Sequence, residues 1–243
     1  MKINKEKCIG CEVCHPYCTV GAIITIEWCS KSVSEIIEDE CVECGVCLRS
    51  EVCPTQAIYM PELKWPRSIR AAFSDPLSTH PSTNEMGRGT EEMKTNDVTG
   101  RFGRGIAGVA VEMGRPGVGT TFEDLQKVCM TLARLGVQFE PENPVSAIIV
   151  DKKTGKINAE ILDEKVLSAI IEFKIENYRL KEALLALKEI SNQIDTVFSV
   201  GLITRVTQDG SIPSISIARD AGFLPRPNTK TNIGLGRPLK EEI

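Results

Sequence analysis

Eight of the ten cysteines of this 243-residue chain fall into two copies of one pattern, Cys8-x2-Cys11-x2-Cys14-x3-Cys18 and Cys41-x2-Cys44-x2-Cys47-x5-Cys53-Pro54. Three thiols spaced by two residues wrap a tight loop around one side of a compact core, and a fourth must come from elsewhere. A cube of four irons and four sulfides needs one thiolate per iron, so the spacing points to two [4Fe–4S] clusters. Zinc also uses paired Cys-x2-Cys units. The third and fourth cysteines of each run make eight thiolates, which two cubes account for better than two zinc ions. A disulfide framework suits a small secreted chain, whereas this one is long and Met1-Lys2-Ile3-Asn4 leads directly into the motif with no secretion signal.

The repeat extends past the cysteines: Cys18-Thr19-Val20-Gly21-Ala22-Ile23 echoes Cys53-Pro54-Thr55-Gln56-Ala57-Ile58, with small and apolar residues in matching places. Such self-similarity marks an internal duplication. Residues 1–60 resemble the bacterial-type two-cluster ferredoxins. That resemblance implies interlocked ligation, in which the fourth cysteine of each run serves the other run's cluster. Cys8, Cys11, Cys14 and Cys53 would then hold one cluster, and Cys41, Cys44, Cys47 and Cys18 the other. Two departures stand out. Thr19 replaces the proline that usually follows the fourth cysteine, and the second run carries two extra residues before Cys53, which bears on the potential of the cluster beneath that loop. Cys29, beside Trp28, and Cys129, on an apolar helix face, lie outside the pattern and are expected to be structural.

Charge is uneven along the chain. Residues 1–60 hold five Lys and Arg against nine Asp and Glu, which leaves 24 of each sign among the other 183 residues. An acidic, thiolate-rich domain attracts a basic partner face; without a basic stripe, nucleic acid is not expected. No apolar run approaches the ~18 residues of a membrane span. The many reduced thiols point to the cytoplasm, and open cluster loops to an anaerobic setting.

From Pro61 to Arg104 the chain is rich in Pro, Gly, Ser, Thr and Asn and reads as a long irregular linker. Regular patterns then resume. Residues 105–113 form a strand; Thr121–Leu135 a helix with Phe122, Leu125, Val128, Leu132 and Leu135 at helical spacing; Val145–Val150 a strand; Lys152–Lys156 a turn; Ile157–Ile161 a short strand. Ala169–Ile175 alternates as a strand does, Tyr178–Ser191 carries a helical stripe, and Thr196–Val206 supplies a last strand. This β-α-β-β-α-β order predicts a ferredoxin-like sandwich and an α+β chain of four parts: residues 1–60, a linker 61–104, the sandwich 105–206 and an extended tail 207–243. The Gly114-Arg115-Pro116-Gly117-Val118-Gly119 loop precedes a helix start, where an anion site competes with a plain glycine turn. Linker and tail are expected to lie along a partner subunit, since ordering them costs about 1–2 kcal/mol per residue.

Four segments, 95–102, Glu112-Met113-Gly114-Arg115-Pro116-Gly117, 196–205 and 227–238, resemble the iron–sulfur part of the 6-hydroxynicotinate-reductase-like proteins, which are larger. The resemblance implies one piece of a reductase whose remainder is encoded separately. The expected function is an electron-transfer subunit, reduced by a ferredoxin or similar donor, passing electrons to a partner's active site. A self-contained reductase of an unsaturated N-heterocycle, or a regulatory module with structural clusters, are the alternatives. Neither His15 nor His80 stands in a recognisable catalytic motif.

Overall fold

The structure is a computed structural model and describes residues 1–86 and 102–224. The first part contains β1 (Lys2–Ile3), a hairpin of β2 (Ile23–Trp28) and β3 (Lys31–Ile36), a single turn α1 (Val46–Arg49), and β4 (Ile58–Tyr59), which returns to pair antiparallel with β1. Met1, Ala22, Ile23, Ile36 and Ile58 make its small core together with Cys14, Cys41 and Cys47. Thiols occupy places that aliphatic side chains fill elsewhere, so cluster ligation and packing share one core. Cys29 and Ser30 form the two-residue turn of the hairpin, both left-handed at φ of +48° and +59°, as a type I′ turn demands. Cys29 is exposed, which corrects the expectation of a packing role: a turn tip has nothing to pack against.

The stretch expected to be irregular contains α2 (Ser68–Ser74). Ile69 and Phe73, one helical turn apart, enter the core of the second part, and the Phe73 ring meets Phe122 edge-on at 5.2 Å. Residues 68–74 therefore pack on their own chain rather than waiting for a partner. Two apolar residues at i, i+4 on one turn suffice for this, and the surrounding prolines conceal them.

The rest begins with β5 (Ile106–Met113), β6 (Thr120–Thr121) and α3 (Phe122–Arg134), capped by Thr121, whose hydroxyl accepts from Asp124 N. Next come β7 (Gln138–Phe139), α4 (Pro144–Ile148), β8 (Ile149–Asp151) and β9 (Lys156–Ile157), then β10 (Lys165–Val166), β11 (Ala169–Glu176), α5 (Leu180–Ile190), β12 (Phe198–Ile203) and α6 (Pro213–Asp220). Four strands make one sheet in the order β12-β5-β11-β7, every neighbour antiparallel. Counting these strands along the chain, the order is fourth, first, third, second. Val109, Val111, Met113, Ile171, Phe173 and Ile175 point from one face into a core shared with Leu125, Val128, Leu132, Leu180, Leu184 and Leu187, the apolar stripes of α3 and α5.

Two strand expectations need correction. Residues 145–150 do not join this sheet. Asn143 accepts from Val145 N at 2.8 Å and Pro144 takes the first helical position, so capping chemistry starts a helical turn inside a β-branched run. Gln138–Phe139 supplies the edge strand instead. Of 157–161, only Ile157 is strand, and Ala159–Ile161 is a 3-10 turn. The beginning of the expected tail also packs at home: Ala218 and Ala221 are buried in the main core. The expectations for 87–101 and from 225 onward, including most of segment 95–102 and all of 227–238, lie outside the described residues. Among the described residues, no helix is long and apolar enough to cross a membrane.

Candidate functional site

The eight cysteine side chains divide into two groups. Cys8, Cys11, Cys14 and Cys53 line one cavity together with Ile3, Ile9, Val13 and Ile58, enclosing empty space of about 310 Å3 counted out to solvent. Burial pushes the Cys14 thiol above its ordinary value, and the negative neighbours Cys53 and Cys8 push the same way, against hydrogen bonding from Ser34. Burial likewise pushes the Cys47 thiol up to about 12, with Cys44, Cys41 and Cys18 as its charged neighbours. Cys53 of the second run thus lines one cavity with Cys8, Cys11 and Cys14, and Cys18 of the first run is a charged neighbour of Cys47.

Backbone amides are aimed at the sulfurs. Ala22 N donates to Cys18 Sγ at 3.1 Å and Ala57 N to Cys53 Sγ at 3.2 Å, the two halves of the repeat making the same contact. Ser34 N donates to Cys8 Sγ at 3.3 Å, and Ser34 Oγ in turn meets His15 Nε2 at 3.0 Å, so His15 props the β3 strand. Burial works to raise the Cys53 thiol, yet hydrogen bonds from Ala57 and Thr55 outweigh it and leave that thiol below its ordinary value. Thr19, in the usual proline position, places its hydroxyl 3.3 Å from Cys44 Sγ. Among the described residues no three His, Cys, Asp or Glu side chains close on a single point as ligands of one ion do; Cys8, Cys11, Cys14 and Cys53 line a cavity. Four thiolates in such a pocket need the positive charge of iron to offset their mutual repulsion and burial. The donor set therefore fits a cubane on each side.

The two groups differ in surroundings. Cys11 is exposed and Cys8 half-buried, with Ile9 and Val13 open to solvent beside them, whereas Cys41, Cys44 and Cys47 are all buried. The second part of the chain covers the latter. Arg70, 4% exposed, donates to the carbonyls of Cys41, Asp39 and Glu38 at 2.8, 2.9 and 3.1 Å and pairs with Glu164. Arg67 reaches the buried Glu43 at 2.7 Å, Arg49 bridges to Asp75 at 2.9 Å, and Lys165 pairs with Glu40. These arginines were missed in the sequence; the signal was Arg67-x2-Arg70 alternating with Ile69 and Phe73, which gives a short helix one basic and one apolar face.

Residues 1–60 match the family described as "4Fe-4S dicluster domain". This segment is a 4Fe–4S dicluster domain. It holds two [4Fe–4S] clusters. Over 58 residues, the dicluster domain is 43% identical to the pyruvate synthase subunit PorD of Thermotoga maritima and 38% identical to PorD of Methanothermobacter marburgensis. Each match covers 24% of this chain, which spans 54% and 60% of those relatives' lengths. No solved structure matches the chain.

The glycine loop leads into β6 and α3. The first amides of α3 are taken: Phe122 N by the Glu164 carbonyl, Glu123 N by that of Leu162, and Asp124 N by Thr121. Glu123 and Asp124 oppose an anion at the helix start itself, while Arg115 Nη2 in the loop is buried without a hydrogen-bond partner among the described residues. The loop lies on the dicluster domain, where a Cβ at Gly117 would stand 3.1 Å from the Thr19 carbonyl. Cys129 is fully buried on α3, where burial raises its thiol strongly.

Proposed function

We propose that this chain is an electron-transfer iron–sulfur subunit of a multi-subunit reductase, with Cys8, Cys11, Cys14 and Cys53 holding one cluster and Cys18, Cys41, Cys44 and Cys47 the other. The observation that carries the reading is the division of eight thiols into two interlocked fours, one open to solvent and one under the second part of the chain. When bound, such clusters supply one-electron transfer and need no acid or base. The chain's own residues orient the sulfurs through amide donors, keep water from Cys41, Cys44 and Cys47, and leave Cys11 within reach of a soluble donor such as a ferredoxin.

The two relatives are named as subunits of pyruvate synthase, which supports the role of subunit. The substrate does not carry over on a match to 24% of the chain. The 4-1-3-2 sheet supports a ferredoxin-like sandwich as the second domain, and its resemblance to the 6-hydroxynicotinate-reductase-like proteins favours an unsaturated ring or conjugated acid as the partner's substrate. Chain isolated without oxygen should contain about eight irons and eight acid-labile sulfides, and native mass measurement of its assembly should reveal further subunits. Turnover of such a substrate by the lone chain would replace this reading with that of a self-contained enzyme.

A further inference from the structure

Two arginines reach into the ligand loop of one cysteine group. Arg49 Nη2 donates to the Cys44 carbonyl at 2.6 Å, and Arg70 Nη1 to the Cys41 carbonyl at 2.8 Å. Among the described residues no Lys or Arg donates to Cys8, Cys11, Cys14 or Cys53. The donors there are neutral: the amides of Ser34 and Ala57 and the Thr55 hydroxyl. The local sequence makes room for this asymmetry. A Cβ at Gly45 would run into the Arg49 guanidinium, and the matching position of the first run is Glu12. Arg49 itself sits in the stretch lengthened by two residues between Cys47 and Cys53.

Reduction adds a negative charge to a cluster, and burial opposes that. The cluster of Cys18, Cys41, Cys44 and Cys47 is the more buried one, so by burial alone it is the harder to reduce. A guanidinium stays charged at any accessible pH, and its field acts strongly where solvent is excluded. We infer that Arg49 and Arg70 are positioning residues that raise the reduction potential of this cluster, offsetting its burial; the inference rests on the ligand assignment proposed above. Each arginine also pairs with a carboxylate, Asp75 and Glu164. That tempers the field without cancelling it, because the guanidinium, and not the carboxylate, touches the ligand loop.

The test is a redox titration of the full-length, doubly loaded protein under anaerobic conditions, following each cluster's paramagnetic signal. The ligand assignment is checked separately: Cys53→Ala must perturb the signal of the Cys8, Cys11 and Cys14 cluster, and failure there defeats the assignment whatever the arginines do. With the signals assigned, Arg70→Gln and Arg49→Gln each lower the potential of the buried cluster by at least a tenfold change in its reduced-to-oxidised ratio, about 59 mV, and leave the other cluster in place. Arg70→Lys restores more than half of the shift. Glu164→Gln, which frees the Arg70 charge without removing a contact to the loop, moves the same potential upward. If Arg70→Gln loses iron, Arg49→Gln and Glu164→Gln decide. An unmoved potential, equal shifts at both clusters, or a downward shift for Glu164→Gln overturns the proposal.

Discussion

Gly10 and Glu43 hold the same place in the two cysteine runs, and both have left-handed backbone, with φ of +70° and +57°. The types exchange two residues on, at Glu12 and Gly45 (+59° and +70°), and the next matching pair is Gly21 and Gln56 (+68° and +51°). The loops thus demand the same backbone turn twice, although only one copy of each pair has the glycine that adopts it freely. Glu43 is held there by its side chain, buried against the Met1 ammonium and Arg67. At Gly10 no side chain is admitted, since a Cβ would run into the Ser32 carbonyl. Gly10→Ala should therefore cost more than the ~1–2 kcal/mol of a left-handed residue and lower iron retention at the Cys8, Cys11 and Cys14 site, read by iron content and by the loss of one paramagnetic signal. Full iron content with unchanged stability would refute the close approach.

Phe73 is the apolar anchor of α2, 2% exposed and edge-on to Phe122. Truncation to Ala should destabilise the protein by about 3–5 kcal/mol, measured by denaturant titration. Because α2 also carries Arg70, amide exchange around Cys41 should accelerate in the same variant. Unchanged exchange there would mean that the dicluster domain does not depend on the helix.

The ion pairs between the two parts of the chain should not weigh equally. Lys165 and Glu40 have side chains 21% and 47% exposed, so Lys165→Met should cost at most about 1 kcal/mol. Arg67 faces a Glu43 side chain that is only 1% exposed. Removing that cation leaves a buried carboxylate short of a partner, and Arg67→Met should cost roughly 3 kcal/mol. Equal losses in chemical denaturation would contradict the difference in burial.

His80 is 3% exposed, and burial holds its imidazole below the ordinary value of 6.5. Its Nδ1 accepts from Ser82 N at 3.2 Å, which leaves the proton on Nε2. The unfolded chain takes up a proton near pH 6.5 while the folded chain resists it, so stability is complete above that pH and falls as the pH drops below it. His80→Phe, which keeps an aromatic ring against Phe73, should lose less stability than the parent between pH 7.5 and 5.5 in denaturant midpoints. Parallel losses would show that His80 does not titrate in this window.

Local chemistry made much of this protein readable from its residues. Cysteine spacing needs no tertiary context, because three thiols two residues apart meet one side of a cube wherever the loop sits. The stripe from Phe122 to Leu132 and the alternation of Ala169–Ile175 likewise carry their own periodicity, and these elements form at or within two residues of the expected bounds. Other features depended on distant partners. Val145–Val150 has strand composition, but the Asn143 cap and Pro144 start a helix, and the edge position went to Gln138–Phe139, two residues with little strand signal of their own. A seven-residue helix such as Ser68–Ser74 is too short to stand by its own propensity; it exists because Ile69 and Phe73 find a core formed by residues far along the chain. For the same reason the contact of Arg70 with the Cys41 carbonyl could not be read from spacing, because it arises only when α2 packs over the ligand loop; that of Arg49 with the Cys44 carbonyl is local, five residues apart, and depends on the turn of α1.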